Sequence, residues 1–217
     1  MQKLVIWGTG GHAKVVADIV RLAGKWEIAG FLDDWALHLQ GSDFCGAKIL
    51  GGREQLEKLR SQGISHLVFG FGKCHARLEL SALIKPLGLS LATAIHPRAT
   101  TARDVPIGSG TVIMAGAVVN PGASVGENVI INTLALVGHD CVIEDGAHVS
   151  AGARLAGKVR IGRAAWVGIG STVIEGVHIG AGAKIGAGAV VAEDIPEYVL
   201  AYGLPAKIIR KMAMDEN

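Results

Sequence analysis

Residues 107–191 read IGSGTV IMAGAV VNPGAS VGENVI INTLAL VGHDCV IEDGAH VSAGAR LAGKVR IGRAAW VGIGST VIEGVH IGAGAK IGAGAV V when set in sixes. The first letter of every block is isoleucine, valine or leucine, from Ile107 through Val137 and Leu155 to Val191. The fifth letter is small or β-branched, running from Thr111 through Ala123, Val129 and Cys141 to Ala189. A period of six fits neither the 3.6-residue helix nor the two-residue alternation of a strand. It describes a hexapeptide repeat of short strands wound into a parallel β-helix. With three hexads to a triangular coil, the aliphatic residue points inward from a flat face and the small one fits near a corner. Glycines follow the aliphatic position at Gly108, Gly126, Gly138, Gly162, Gly168, Gly180 and Gly186, where a turning backbone benefits from having no Cβ. The register reaches back weakly to Ile95 and Thr101, which gives about five coils around one continuous apolar core with no inserted loop.

Upstream of the repeat the pattern changes. Residues 3–7 (KLVIW) read as a buried strand running into Gly8-Thr9-Gly10-Gly11-His12. A helical pattern follows over Ala13, Val16, Ala17, Ile19, Val20 and Ala23, stopped by Gly24. The next strand, Glu27 to Leu32, ends on Asp33-Asp34. This is a β-loop-α-β unit: its glycine turn can offer bare N–H groups to a phosphate, and an acid about 20 residues later suits a ribose hydroxyl. Arg53 to Gln62 reads as a helix, His66 to Phe71 as a strand and Cys74 to Leu87 as another helix, with Gly72 in the turn between. Alone, the GTGGH loop is equally compatible with a tight structural turn, and the acidic pair with a solvated one. The expected domains are 1–94, a small Rossmann-like α/β unit; 95–195, the column; and 196–217, a loop and short helix. Pro97 excludes a helix where the chain enters the column, and His96 beside it reads as part of a cap.

Composition excludes several classes. The 217 residues carry a net charge of +2 with 18% charged side chains and no charge block, so there is no stripe for nucleic acid. The positive mean hydropathy comes from the column, since no run of about 18 apolar residues exists to span a membrane. The N-terminal apolar run is too short for a signal peptide. Cys45, Cys74 and Cys141 show no metal spacing and leave one unpaired, which points to a reducing cytoplasm and to no bound metal.

Two histidines stand on the wall of the column in outward registers. His139, two residues after Val137, is followed by Asp140, and His148 lies five residues after Ile143. An imidazole there has no packing reason, although a solvated surface histidine would look the same. Cys141 falls in the small inward register and reads as core.

The period resembles the left-handed β-helix of the hexapeptide-repeat acyltransferases, over more than half of the chain. The α/β domain, Phe31-Leu32-Asp33-Asp34 and the segment from Asn132 to Ile143 make the whole similar to the sugar N- and O-acetyltransferases of the bacillosamine and sialic acid pathways. That resemblance implies a homotrimer with active sites in clefts between columns, acetyl-CoA as co-substrate and direct transfer in a ternary complex. It implies an acceptor on the 4-amino group of a nucleotide-linked 4-amino-4,6-dideoxy sugar, with UDP the expected nucleotide. On the matching positions, His139 is the general base and Asp140 its carboxylate partner, where the bacillosamine enzyme carries glutamate. His148, Gly157, Gly168, Ile169 and Ala187 contact acetyl-CoA, and Tyr202-Gly203-Leu204-Pro205-Ala206-Lys207 lies beside its adenine end. Gly10, Gly11, His12, Asp33, Asp34 and Gly72 bind the nucleotide. Arg154, Lys158, Arg160, Arg163 and Lys184 are available to CoA phosphates, though most are expected to be solvated. The chemistry agrees: removing the proton of an attacking amine suits an imidazole, a carboxylate can fix its tautomer, and a donor near the thioester oxygen can stabilise the oxyanion. Three alternatives stand beside this one: O-acetylation of a sialic acid, a zinc carbonic anhydrase of the γ type, and a non-catalytic sugar-nucleotide sensor.

Overall fold

The structure, a computed structural model, describes residues 1–213 and Glu216. The chain forms two compact units, one of Met1–Gly72 with Glu79–Pro97 and one of Lys73–Leu78 with Arg98 onward.

The first unit contains β1 (Gln2–Trp7), α1 (Gly11–Ala23), β2 (Trp26–Leu32), β3 (Asp43–Phe44), β4 (Ala47–Gly51), α2 (Leu56–Ser61), β5 (His66–Phe69) and β6 (Ser90–Leu91). Its sheet has the order β3-β4-β2-β1-β5-β6, parallel except for the β3–β4 hairpin. Leu4 to Trp7 of β1 are all buried. A continuous apolar run is what a central parallel strand with both faces covered requires. On one side Val5, Trp7, Leu32, Leu56, Leu67 and Phe69 pack together. Helix α1 ends where the sequence says it should: Gly24 takes φ +66 and its N–H donates to the carbonyls of Val20 and Arg21. The segment after Gly52 is less regular than its pattern suggests, a 3-10 turn over Arg53–Gln55 before α2 begins.

The second unit is a parallel β-helix of two-residue strands. Val118 pairs with Leu136 and Leu136 with Arg154, eighteen residues apart, so each coil spends three hexads. The first face carries Ile130–Ile131, His148–Val149, Trp166–Val167 and Lys184–Ile185. The second carries Val118–Val119, Leu136–Val137, Arg154–Leu155 and Thr172–Val173, and the third Ser124–Val125, Val142–Ile143, Arg160–Ile161 and His178–Ile179. Val137, Val149, Leu155, Ile161, Val167 and Val173 are 0% exposed, and so are Cys141, Ala153 and Ser171 of the small register. Each aliphatic residue so buried contributes about 1.5–3 kcal/mol.

Two glycine sets serve the corners, for different reasons. Every sixth residue from Gly110 to Gly188 has a positive φ, and nine of these fourteen are glycine. The exceptions are Asn128, Leu134, Asp140, Lys158 and Ala164. The glycines noticed in the sequence, Gly108, Gly126, Gly138, Gly162, Gly168, Gly180 and Gly186, have no positive φ. They lack a Cβ because the next coil passes too close: at Gly168 it would stand 2.6 Å from the carbonyl carbon of Gly186 and 2.8 Å from the Ala187 nitrogen.

The first face is covered. Val112, Ile130 and His148 precede inward residues and so point outward, yet they are 1%, 1% and 4% exposed. Helix α3 (Cys74–Ile84) begins in this unit, and its buried Arg77 donates through Nε to the Asn128 carbonyl at 3.1 Å and through Nη2 to those of Gly146 and Ala147 at 2.7 and 3.3 Å.

The expected C-terminal helix is instead a strand. Val199–Gly203 extends the first face, Leu200 pairing with Lys184, and Ala206–Lys211 returns antiparallel to it, Ala201 opposite Ile208 and Tyr202 opposite Lys207. A helix this short is marginal in water, whereas the last coil presents an open ladder edge, and Ile208-Ile209 has the β-branched character that edge favours. Met214, Asp215 and Asn217 of that expected helix lie outside the described residues.

Candidate functional site

In the first unit, Gly10, Gly11, His12, Asp33, Asp34 and Gly72 line a single cavity of about 240 Å³, together with Thr9 and Trp35. Gly10 is the N-cap of α1, with no side-chain cap and no acidic residue in the first turn. The N–H groups at that end keep their partial positive charge for an incoming anion. Neither Gly10 nor Gly11 has a positive φ, and an added Cβ on either would meet nothing within 4 Å. Their smallness serves neither packing nor backbone freedom, which leaves close approach by a ligand. Gly8 and Gly70 differ, because a Cβ on Gly8 would lie 2.9 Å from the Gly70 carbonyl oxygen and one on Gly70 2.7 Å from the Ala13 Cβ. Gly11→Ala is therefore expected to leave the melting temperature unchanged or slightly raised, alanine being the better helix former, while weakening binding of a phosphate-bearing ligand at this helix end; titration with pyrophosphate and melting of the variant check both.

The acidic pair is already engaged. Asp33 Oδ2 accepts from the Thr9 N–H at 3.0 Å and the Thr9 hydroxyl at 2.6 Å, and Oδ1 accepts from the N–H groups of Trp35 and Ala36 at 2.9 and 3.1 Å. Burial pushes this carboxyl up, but those hydrogen bonds outweigh it and hold the group below the ordinary aspartate value. Asp34 pairs with the Arg53 guanidinium at 2.7 Å and caps the Arg53 N–H at 2.8 Å. Both residues shape the loop, a use the motif alone did not reveal. Trp35, 74% exposed on the cavity wall, was not singled out from the sequence.

In the second unit, His139 and Asp140 occupy the corner after Leu136–Val137. Nδ1 of His139 lies 2.8 Å from Asp140 Oδ2, with both side chains 57% exposed. Asp140 has φ +59, a conformation aspartate tolerates better than most residues, and this turn aims its carboxylate back at the preceding ring. The far edge of the imidazole, Nε2 and Cε1, lies over Gly157 on the next coil, where a Cβ would occupy the same space. The carboxylate engages one nitrogen and leaves the other over Gly157 on a half-exposed corner, a usable base.

The remaining predicted contacts are placed apart from this corner. Gly168, Ile169 and Ala187 lie at the corner between the first and second faces, on successive coils, with Ile169 and Ala187 exposed; the Ile169 carbonyl accepts from Gly188 at 2.8 Å. His148 is not on an open wall. It is buried on the covered face, with Nε2 3.2 Å from Asn132 Nδ2 and its ring 4.2 Å from that of Trp166. Lys184 lies 5.4 Å above the same Trp166 ring. Lys158 is paired with Glu175 at 3.2 Å and Arg163 with Asp145 at 3.2 Å. Cys141 is buried, its thiol pushed up by that burial and donating to the Ala156 carbonyl, as a core residue does. Among the described residues no group of three or more His, Cys, Asp or Glu is placed to hold a metal, and no helix is long and apolar enough to cross a membrane.

A glycine-loop α/β unit followed by a hexapeptide column that presents a His–Asp pair defines a hexapeptide-repeat acyltransferase with its own ligand-binding domain. Residues 3–83 match the PglD N-terminal domain, and residues 158–193 the bacterial transferase hexapeptide (six repeats). The solved structure of a perosamine N-acetyltransferase variant from Caulobacter crescentus, with CoA and GDP-perosamine bound and one histidine replaced by asparagine, is 38% identical. That match covers 97% of this chain and 98% of that one, with a TM-score of 0.92. The acetyltransferase domain of PglB from Neisseria gonorrhoeae, in complex with acetyl coenzyme A, is 38% identical over 96% of this chain and 99% of that one, with a TM-score of 0.89. The curated UDP-N-acetylbacillosamine N-acetyltransferase of Bacillus subtilis is 37% identical over 122 residues, and the match spans only 52% of its length. The chain belongs to this family of left-handed β-helix sugar N-acetyltransferases.

Proposed function

We propose that the protein transfers the acetyl group of acetyl-CoA to the 4-amino group of a nucleoside-diphosphate-linked 4-amino-4,6-dideoxy sugar. The observation that carries this reading is the His139–Asp140 pair on the column wall, one imidazole nitrogen engaged by the carboxylate at 2.8 Å and the other lying over Gly157. His139 takes a proton from the amine as nitrogen attacks the thioester carbonyl; Asp140 fixes the tautomer and stabilises the imidazolium. The tetrahedral intermediate collapses, re-forming the carbonyl as the C–S bond breaks, and the leaving CoA thiolate takes up the proton held by the His139 imidazolium. No acyl-enzyme is involved, since Cys141 is buried. Gly157, Gly168, Ile169 and Ala187 are assigned to acetyl-CoA, and the glycine loop with its cavity to the diphosphate. His148, buried against Asn132 and Trp166, is assigned to the same cofactor as a donor held in a fixed position. The working assembly is a homotrimer, and the compartment the reducing cytoplasm, which suits three free cysteines.

The nucleotide is open between the two kinds named for the relatives: GDP-perosamine in a neighbour matched along its whole length, and a UDP sugar in one matched over half. Thiol release from acetyl-CoA, followed across UDP-, GDP- and dTDP-linked 4-amino sugars and free sialic acid, tests the proposal. Turnover with a nucleotide-linked amine is the expected result. Silence on every amine would overturn it, and turnover of sialic acid alone would replace it with O-acetylation.

A further inference from the structure

A nucleoside-reading group in the first unit rests on the reading of that unit as a nucleotide-sugar binder. In the usual β-loop-α-β arrangement, the carboxylate after the second strand takes the ribose hydroxyls. Here that carboxylate is full. Asp33 accepts four hydrogen bonds, two from Thr9 and one each from the N–H groups of Trp35 and Ala36, and about four is the acceptor capacity of a carboxylate. Asp34 accepts three from Arg53, through its N–H at 2.8 Å, Nε at 3.1 Å and Nη2 at 2.7 Å. Asp33 has no acceptor site left for a diol and Asp34 at most one, and breaking either set would loosen the loop it holds.

The same turn presents a different kind of recognition group. Trp35 follows the acidic pair, lines the cavity and is 74% exposed. Its backbone is pinned, because its N–H donates to Asp33 Oδ1 at 2.9 Å. Among the described residues its ring takes part in no aromatic or cation-π contact, unlike Trp7, Trp26 and Trp166. A large flat apolar ring, fixed at its backbone and open on the wall of a phosphate-sized cavity, is built as a base does its stacking: on a π-face, without regard to hydrogen-bond pattern.

We propose that Trp35 is the plate on which the nucleobase stacks, and that the ribose 2′-hydroxyl is not read. The site then holds its ligand by two sequence-tolerant devices, helix N–H groups for the diphosphate and an indole face for the base. It takes 2′-deoxynucleoside diphosphates as readily as ribonucleotides.

The test is direct titration of the intact protein with UDP, dUDP, GDP and dGDP, by calorimetry, for the parent, Trp35→Phe and Trp35→Leu. Both substitutions lie on an exposed side chain, so melting temperatures should not move. The expected result is affinity roughly tenfold or more weaker for Trp35→Leu and within a few-fold of the parent for Trp35→Phe, with each deoxynucleotide within about threefold of its ribonucleotide. Equal affinity in all three proteins would overturn the stacking role. A ribonucleotide preference of tenfold or more in the parent would overturn the claim that the ribose goes unread. If the parent binds none of the four, the nucleotide-binding assignment itself falls, and this inference falls with it.

Discussion

His139→Ala is expected to lower kcat for acetyl transfer by roughly a hundredfold to ten-thousandfold, the usual worth of a positioned general base. The side chain stands free on a corner, 57% exposed and bonded within the chain to Asp140, so the melting temperature should stay within a degree or two of the parent. KM for acetyl-CoA should move little. The reason to expect so large an effect is geometric. The carboxylate holds one nitrogen at 2.8 Å, and Gly157 leaves room beneath the other edge of the ring. Gly157→Ala refines the test, since its Cβ would occupy the space of the imidazole edge while the backbone there has no positive φ to strain. That variant should fold normally and lose most of its kcat through displacement of a ring it does not replace. A His139→Ala enzyme of undiminished kcat would remove the base from the mechanism.

Gly168→Ala is expected to be one of the damaging single-methyl changes in the column. A Cβ at 2.6 Å from the Gly186 carbonyl carbon and 2.8 Å from the Ala187 nitrogen meets backbone that cannot rotate away, so the coils must separate. Overpacking of this kind costs about 1–3 kcal/mol, or roughly 2–12 °C in melting temperature for a chain of this size. Gly170→Ala is the comparison: its φ of +66 makes alanine strained, but an added Cβ meets nothing within 4 Å, and about 1 kcal/mol is expected. Thermal melts of the two variants should rank Gly168→Ala as the worse despite its ordinary φ. Should Gly168→Ala melt like the parent and lose only acetyl-CoA affinity, the glycine is there for the cofactor and not for the stack.

What could be read from sequence alone follows the physics of repetition. The inward registers from Ile107 to Val191 were plain because an unbroken period of six has a single structural explanation, and the helix stop at Gly24 because its chemistry is local. The glycine loop and the acidic pair were found as residues, but the saturation of Asp33 was hidden, since the Thr9 donors come from 24 residues away. The C-terminal strand was missed for a related reason: Ala206–Lys211 carries no strong pattern of its own and takes its conformation from the open edge beside it. His148 sits outward in the period as expected, but burial depends on what covers a face, and a hexad cannot announce that. The left-handed corner positions were overlooked because at five of fourteen the residue is not glycine, and Asp140 is one of them.

Arg77 gives the column a property that a plain stack lacks. In a one-dimensional array each coil is held only by its neighbours, and disorder spreads inward from the ends. One guanidinium here bonds the carbonyls of Asn128 and Gly146, eighteen residues apart. It closes a staple across a full turn of the spiral, and His139 lies on the turn so closed. The register of that turn cannot slip without breaking the staple. Fraying that reached the outer coils would stop short of the His139–Asp140 pair.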